Sequence, residues 1–139
     1  MAGQETGATP GEQGADGDTD EHVRLFAFVK RREGLSREEF LQYWRESHGP
    51  LIRDTPGLGD KVLRYEQFAA RPDDGSPWDG VAMQEFASWD DFLAMLSGDA
   101  GAIMRADEGQ FLDPSGISVV FTGDRVTMIR RDGSSAPGS

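Results

Sequence analysis

Lys30 to Leu51 reads KRREGLSREEFLQYWRESHGPL, and the fold unfolds outward from it. Ser36 followed three residues later by Glu39 is a capping box, in which the Ser36 hydroxyl accepts from the Glu39 amide and the Glu39 carboxylate reaches back to the Ser36 amide. A helix therefore starts at Ser36 or Arg37. Phe40, Trp44 and His48 recur every four residues and share one stripe, while Arg37, Glu38, Arg45 and Glu46 stay in water. Gly49 and Pro50 are expected to end the helix, glycine by accepting a left-handed cap and proline by breaking the hydrogen-bond ladder. That places His48 at the last turn, on the side facing the interior.

Upstream, Val23 to Lys30 (VRLFAFVK) is rich in strand formers and apolar on both faces. Downstream, Val62 to Phe68, Asp79 to Phe86 and Ile117 to Thr122 read as strands, and Val126 to Ile129 as a short fifth strand at an edge. Ser88 with Asp91 caps a second helix whose apolar side holds Trp89, Phe92, Leu93 and Leu96. Gly98 interrupts it, and a further helical piece follows from Asp99 to Asp107 or beyond, with Ile103 and Met104 inward. The order strand, helix, strand, strand, helix, strand is the split βαβ of an α+β, ferredoxin-like fold with an antiparallel sheet. Both helices cover one face. The other face, also apolar, calls for a two-fold homodimer that packs sheet on sheet and closes a barrel.

The 139 residues suit one domain, residues 22–131, between two ends of different character. Residues 1–21 hold five glycines, six acids, no Lys or Arg and no large apolar side chain after Met1, so they read as a disordered acidic tail. Residues 132–139 read as a flexible end. That tail supplies more than half of the net charge of −11. What remains is mildly acidic without a basic stripe, which opposes nucleic acid as a partner. No secretory signal and no apolar run of bilayer length is present, so no membrane partner is expected and the location is read as cytoplasmic. The absence of cysteine excludes disulfides, thiolate catalysis and thiolate-ligated metals.

Lys30, Arg31, Arg32, Gly34 to Phe40, Tyr43, Trp44 and His48 to Leu51 resemble the first helix motif of the EthD-like family, within the dimeric α+β barrel superfamily. Asp107, Glu108, Phe111, Leu112 and Asp113 resemble its second signature, and the likeness covers about residues 23 to 125. The resemblance implies a homodimer with one pocket per subunit between sheet and helices. It also implies relatives that act without cofactor on aromatic polyketides, by dehydration, decarboxylation or cyclisation, or on lactones by isomerisation.

His48 is the candidate acid/base, because imidazole both takes and returns a proton near neutral pH; the alternative is a helix-end histidine that caps carbonyls. His22, at the edge of the tail, is incidental. Of the acids Asp107, Glu108 and Asp113, one would orient His48 or accept a proton from carbon, and Asp113 is placed first because it follows the apolar pair Phe111 and Leu112. Otherwise they form a solvated turn, with Asp113 capping or Asp107 pairing with Arg105. Tyr65 is either a hydrogen-bond donor to a developing enolate or phenolate or a packed ring. Phe26, Phe28, Phe40, Trp44, Phe86 and Phe111 are candidates to line a flat pocket for a small hydrophobic or aromatic substrate, or else to fill the core. Arg31 and Arg32 would meet an anionic substituent or simply water. Two histidines, one of them in the tail region, make no three-ligand metal site, and no phosphate-binding loop is present, so neither metal nor cofactor is expected. The leading reading is a cofactor-independent lyase or isomerase of a cyclic, aromatic or polyketide-like substrate. The alternatives are a cofactor-free monooxygenase forming a quinone from a phenol or anthrone, and a non-catalytic dimer that binds a hydrophobic metabolite.

Overall fold

The capping box forms: Ser36 Oγ accepts from the Glu39 amide at 3.0 Å and Glu39 Oε1 from the Ser36 amide at 2.9 Å. From it springs α1, Arg37–Tyr43. The computed structural model describes residues 22–131, and the readings made for residues 1–21 and 132–139 lie outside the described residues.

The helix does not end at Gly49 and Pro50. A five-residue π-helical segment, Trp44–His48, follows α1 and leads directly into α2, Gly49–Asp54, with Gly49 at an ordinary helical φ of −57°. Two contacts at the junction explain the continuation. The Gly49 amide reaches back five residues to the Trp44 carbonyl, which also accepts from Gln67 Nε2 at 2.9 Å, so a side chain enters the ladder where the turn widens. Pro50 then falls in the first turn of α2, where its ring-fixed φ already suits a helix. His48 is thus held within a helix, at the close of its wide turn.

Four strands, β1 (Val23–Val29), β2 (Val62–Ala69), β3 (Gly80–Phe86) and β4 (Ser118–Thr122), pair antiparallel in the order β2–β3–β1–β4. This is the ferredoxin-like α+β architecture that the sequence order predicts. Residues 126–129 form no strand among the described residues: the chain leaves the sheet after Thr122 with no turn returning it to β4, and Val126, Met128 and Ile129 stay exposed. Helices α3, Trp89–Leu96, and α4, Gly98–Phe111, complete the layer over the sheet. They bury Phe92, Met95 and Met104, whereas Leu93 and Ile103 lie outward, one residue off the expected phase.

The register sorts the strands into two rows. Leu25, Ala27 and Val29 stand beside Gln84 and Ala82 under the helices, while Arg24, Phe26 and Phe28 stand beside Glu85, Met83 and Val81 on the outer face. One core cluster gathers Val29, Phe40, Trp44, Ala82, Phe111 and Leu112; a second gathers Ile52, Leu58, Phe86, Phe92, Met95 and Met104. The Trp44 ring lies against the bare backbone of Gly80, where an added Cβ would sit 2.6 Å from the indole and 2.9 Å from the Phe68 carbonyl. Only glycine admits that approach. Gly80→Ala is therefore expected to lower the unfolding free energy by about 1–3 kcal/mol, the usual cost of forcing extra volume into a packed core, read as a lower urea midpoint with an unchanged slope.

Candidate active site

His48 is 5 % exposed, packed at 4.8 Å between ring centres against Phe111, which is wholly buried and also meets Phe40 and Tyr43. Its Nδ1 lies 2.7 Å from Asp107 Oδ2, and the other oxygen of Asp107 accepts from the Tyr43 hydroxyl at 2.5 Å. A carboxylate only accepts, so Nδ1 carries the proton and Nε2 keeps its lone pair. Asp107 is brought there by the end of α4, which is tied to the segment after β1 by Arg32 N donating to Phe111 O at 2.8 Å and Asp113 N donating to Lys30 O at 2.9 Å.

A cavity of about 360 Å³ lies between the helices and the sheet. Its floor includes Ala27 and Ala82, cross-strand neighbours whose small side chains leave the space open. Trp44, Phe92, Met95, Met104, Phe111 and Phe121 supply much of the apolar wall, and His48, Tyr65, Gln84, Arg105 and Glu108 supply the polar groups. The volume falls in the range of small-molecule pockets.

Burial sets the electrostatics. Desolvation lowers the His48 pKa from its ordinary 6.5 and outweighs the opposing hydrogen bond and charge of Asp107, so the imidazole is neutral at pH 7. Desolvation pushes the Glu108 carboxyl up; Arg105 opposes the shift and Asp107 adds to it. Tyr65 is also raised by burial, so its phenol keeps its proton, and its oxygen accepts from Gln67 Nε2 at 2.9 Å. Tyr43, bonded to Asp107, is pushed up to about 12, chiefly by that bond. A neutral imidazole oriented by a carboxylate, beside a phenol donor and a buried acid, can take a proton from a bound molecule and give it back.

The sequence candidates divide. His48, Tyr65, Trp44 and Phe111 meet at the cavity. Asp113 does not: its carboxylate accepts from the Ser115 amide at 3.0 Å and the Ser115 hydroxyl at 2.7 Å, capping a short turn, and those bonds hold it below the usual carboxylate range. The acid that orients His48 is Asp107, which bonds the histidine rather than Arg105. Phe40 and Phe86 are fully buried core, off the cavity wall. Phe26 and Phe28 occupy the opposite row of the sheet, Phe28 packing on Trp78, because alternation along β1 sends even-numbered side chains outward. Arg31 pairs with Asp79 instead of reaching the cavity. Tyr43 and Gln84 were not singled out as site residues by the sequence reading. Tyr43 lies three residues after Phe40 and its role needs a partner 64 residues away; for Gln84 the available signal is a single amide in the strand GVAMQEF.

Among the described residues no group of three or more His, Cys, Asp or Glu side chains is placed to hold a metal ion, and no helix is long and apolar enough to cross a membrane.

The sequence profile of the EthD domain matches residues 32–115. No curated protein matches the chain. Among solved structures, a dimeric protein of unknown function and ferredoxin-like fold from Bacteroides fragilis superposes with a TM-score of 0.60 at 16% identity, over 77% of this chain and 100% of that one. A hydroxynitrile lyase from Passiflora edulis gives 0.60 at 17% identity, over 79% of this chain and 99% of that one. SnoaB, a cofactor-independent oxygenase from Streptomyces nogalater, gives 0.56 at 12% identity, over 79% and 99%. At these identities the likeness is one of fold.

The lowered pKa of His48 has a signed consequence for stability. Between that value and 6.5 the unfolded chain binds a proton that the folded chain refuses, so stability falls as pH drops through this window, by up to about 1.4 kcal/mol per pH unit. The raised Glu108 contributes with the opposite sign, in wild type and variant alike. Urea midpoints between pH 7.5 and 5.5 should therefore fall more steeply for wild type than for His48→Gln; parallel slopes would mean that the histidine is not buried neutral.

Proposed function

The chain belongs to the EthD domain family, and from that premise we propose that it is a cytoplasmic, cofactor-independent lyase or isomerase acting on an aromatic or polyketide-like cyclic substrate, with His48 as general base and then general acid. The observation that carries this reading is the His48–Asp107 pair at the wall of an apolar cavity. Asp107 holds the imidazole in the tautomer whose Nε2 accepts a proton, and Tyr43 holds Asp107. Nε2 takes a proton from a carbon or hydroxyl of the bound ring system. Tyr65 donates to the oxygen on which negative charge gathers, which favours the enolate or phenolate over the neutral substrate. His48 then returns its proton to the leaving group, to a new carbon position or to water, which gives elimination, isomerisation or dehydration from one arrangement. Glu108, held toward its neutral form, is a second proton donor within the same cavity.

A second reading shares the first step. The likeness in fold to a cofactor-independent oxygenase favours proton removal from a phenol or anthrone followed by attack of dioxygen. Oxygen uptake separates the two. The assays are cleavage of an aromatic hydroxynitrile and rearrangement of a polyketide-like ring under nitrogen, and oxidation of an anthrone in an oxygen electrode. In whichever turns over, His48→Gln is expected to lower kcat by roughly 100-fold or more, the usual size of a general acid–base contribution. Retention of most activity would make the histidine a structural residue.

The working unit in this proposal is a two-fold dimer. Phe68 and Val120 are about half exposed on the outer face of the sheet, beside Phe26, Phe28 and Val81, a row that water covers poorly. Light scattering should give twice the monomer mass at micromolar concentration, as expected for an interface of more than about 1,500 Å²; a monomer would refute it.

A further inference from the structure

Among the described residues, Gln84 is the polar side chain that the fold leaves unanswered. It stands in the middle of β3, between Leu25 on one neighbouring strand and Tyr65 on the other, in a row whose next members are Ala82 and Phe86. It is 8 % exposed, and its Oε1 is buried with no hydrogen-bond partner among the described residues. A buried acceptor left without a donor costs about 1–3 kcal/mol, and native structures keep few of them. An apolar side chain of similar size would fit the row without that cost.

Gln67 makes the contrast. On the same face of the sheet, its amide donates to the Trp44 carbonyl and to the Tyr65 hydroxyl, so that glutamine is consumed by the architecture. Gln84 is not. It lines the cavity, and its cross-strand neighbour is Tyr65, so two hydrogen-bonding groups rise side by side from the sheet floor while His48 enters from the helical layer. Apart from Arg105 and Glu108, the rest of the cavity lining, from Leu25 and Ala27 to Trp44 and Met95, is apolar.

We propose that Gln84 is a specificity residue: its buried, unpartnered carbonyl oxygen accepts from a ring hydroxyl of the substrate, so the cavity selects flat apolar rings that carry a phenolic or enolic O–H away from the reacting position. The inference rests on the cavity being the substrate site, as in the proposed function. It adds the substrate class. A ring without the hydroxyl leaves the acceptor unpaired and binds less well, and that loss is how a site built around one buried polar atom discriminates.

The test uses two probes of nearly equal shape, para-cresol and para-xylene, titrated into the full-length protein and followed by NMR shifts. Wild type should bind para-cresol roughly tenfold more tightly, the size of one good buried hydrogen bond. Gln84→Leu should bring that ratio to about one, chiefly by weakening para-cresol, and should leave the melting temperature unchanged or raised because an unpaired polar atom has gone. Gln84→Met, an unbranched replacement, should do the same. His48→Gln should keep the preference while losing turnover.

Equal binding of the two probes by wild type, or binding of neither, overturns the proposal, since a trapped water would then be satisfying the amide. A preference that survives Gln84→Leu and disappears in His48→Gln assigns the contact to the histidine and also overturns it, with the acid/base reading intact. The converse, a preference lost in Gln84→Leu alongside full activity in His48→Gln, upholds the role of Gln84 and removes the histidine from the chemistry. If neither Gln84 variant folds, the amide is structural and the proposal fails.

Discussion

The hydrogen bonds from Tyr43 and His48 to Asp107 are the constraint on which the rest of the site depends. They join the α1 and π-helical stretch to α4 through a carboxylate set among aromatic rings, and a charge in such a place persists only with its partners in position. Phe111 touches Phe40, Tyr43 and His48 at once, so packing and hydrogen bonding enforce the same geometry. Sliding α4 along the helix it covers would leave Asp107 unpaired and Phe111 out of its socket. The imidazole direction is therefore a property of the fold rather than of one side chain.

Volume is arranged as carefully as charge. The Trp44 ring rests on Gly80, which brings the helix close to the sheet at one end. Nearer the middle, Ala27 and Ala82 face each other where larger residues would fill the layer. Close packing is the rule in protein interiors, so a gap bounded by a tight contact on one side and by small residues beneath is a built feature. The π-helical turn belongs to the same arrangement: it carries the helix through Gly49 and Pro50, and the Gln67 amide inserted at Trp44 fixes β2, and with it Tyr65, against the helix that bears His48.

Features governed by neighbours in the chain were legible in the sequence. The capping box, the stripe of Phe40, Trp44 and His48, the order of elements and the separation of helix-covered and outer faces follow from spacing alone, and each is found in the fold. What failed depends on distant partners. Gly49 and Pro50 end a helix by local rules, and the Trp44 carbonyl shared with Gln67, 23 residues further on in the next strand, is not a local matter. Asp107 and Asp113 look alike along the chain; only the docking of α4 shows that one meets His48 and the other meets Ser115. Phe26 and Phe28 satisfy any measure of apolarity, and alternation parts them from Leu25, Ala27 and Val29, but only the docking of the helices decides which of the two rows faces the cavity.

One consequence of burial bears directly on chemistry. The same desolvation lowers a base, His48, and raises an acid, Glu108, so their proton affinities are driven toward each other from opposite sides. Two groups at the wall of one cavity are thus shifted in opposite senses by the same burial. Both groups are also biased to their uncharged forms, so a neutral ring can enter without displacing strongly held water from an ion. Apart from Arg105, charge appears at the wall of such a cavity only when a proton moves, and two groups that would meet it, Asp107 behind the imidazole and Tyr65 at the cavity wall, are already in place before it does.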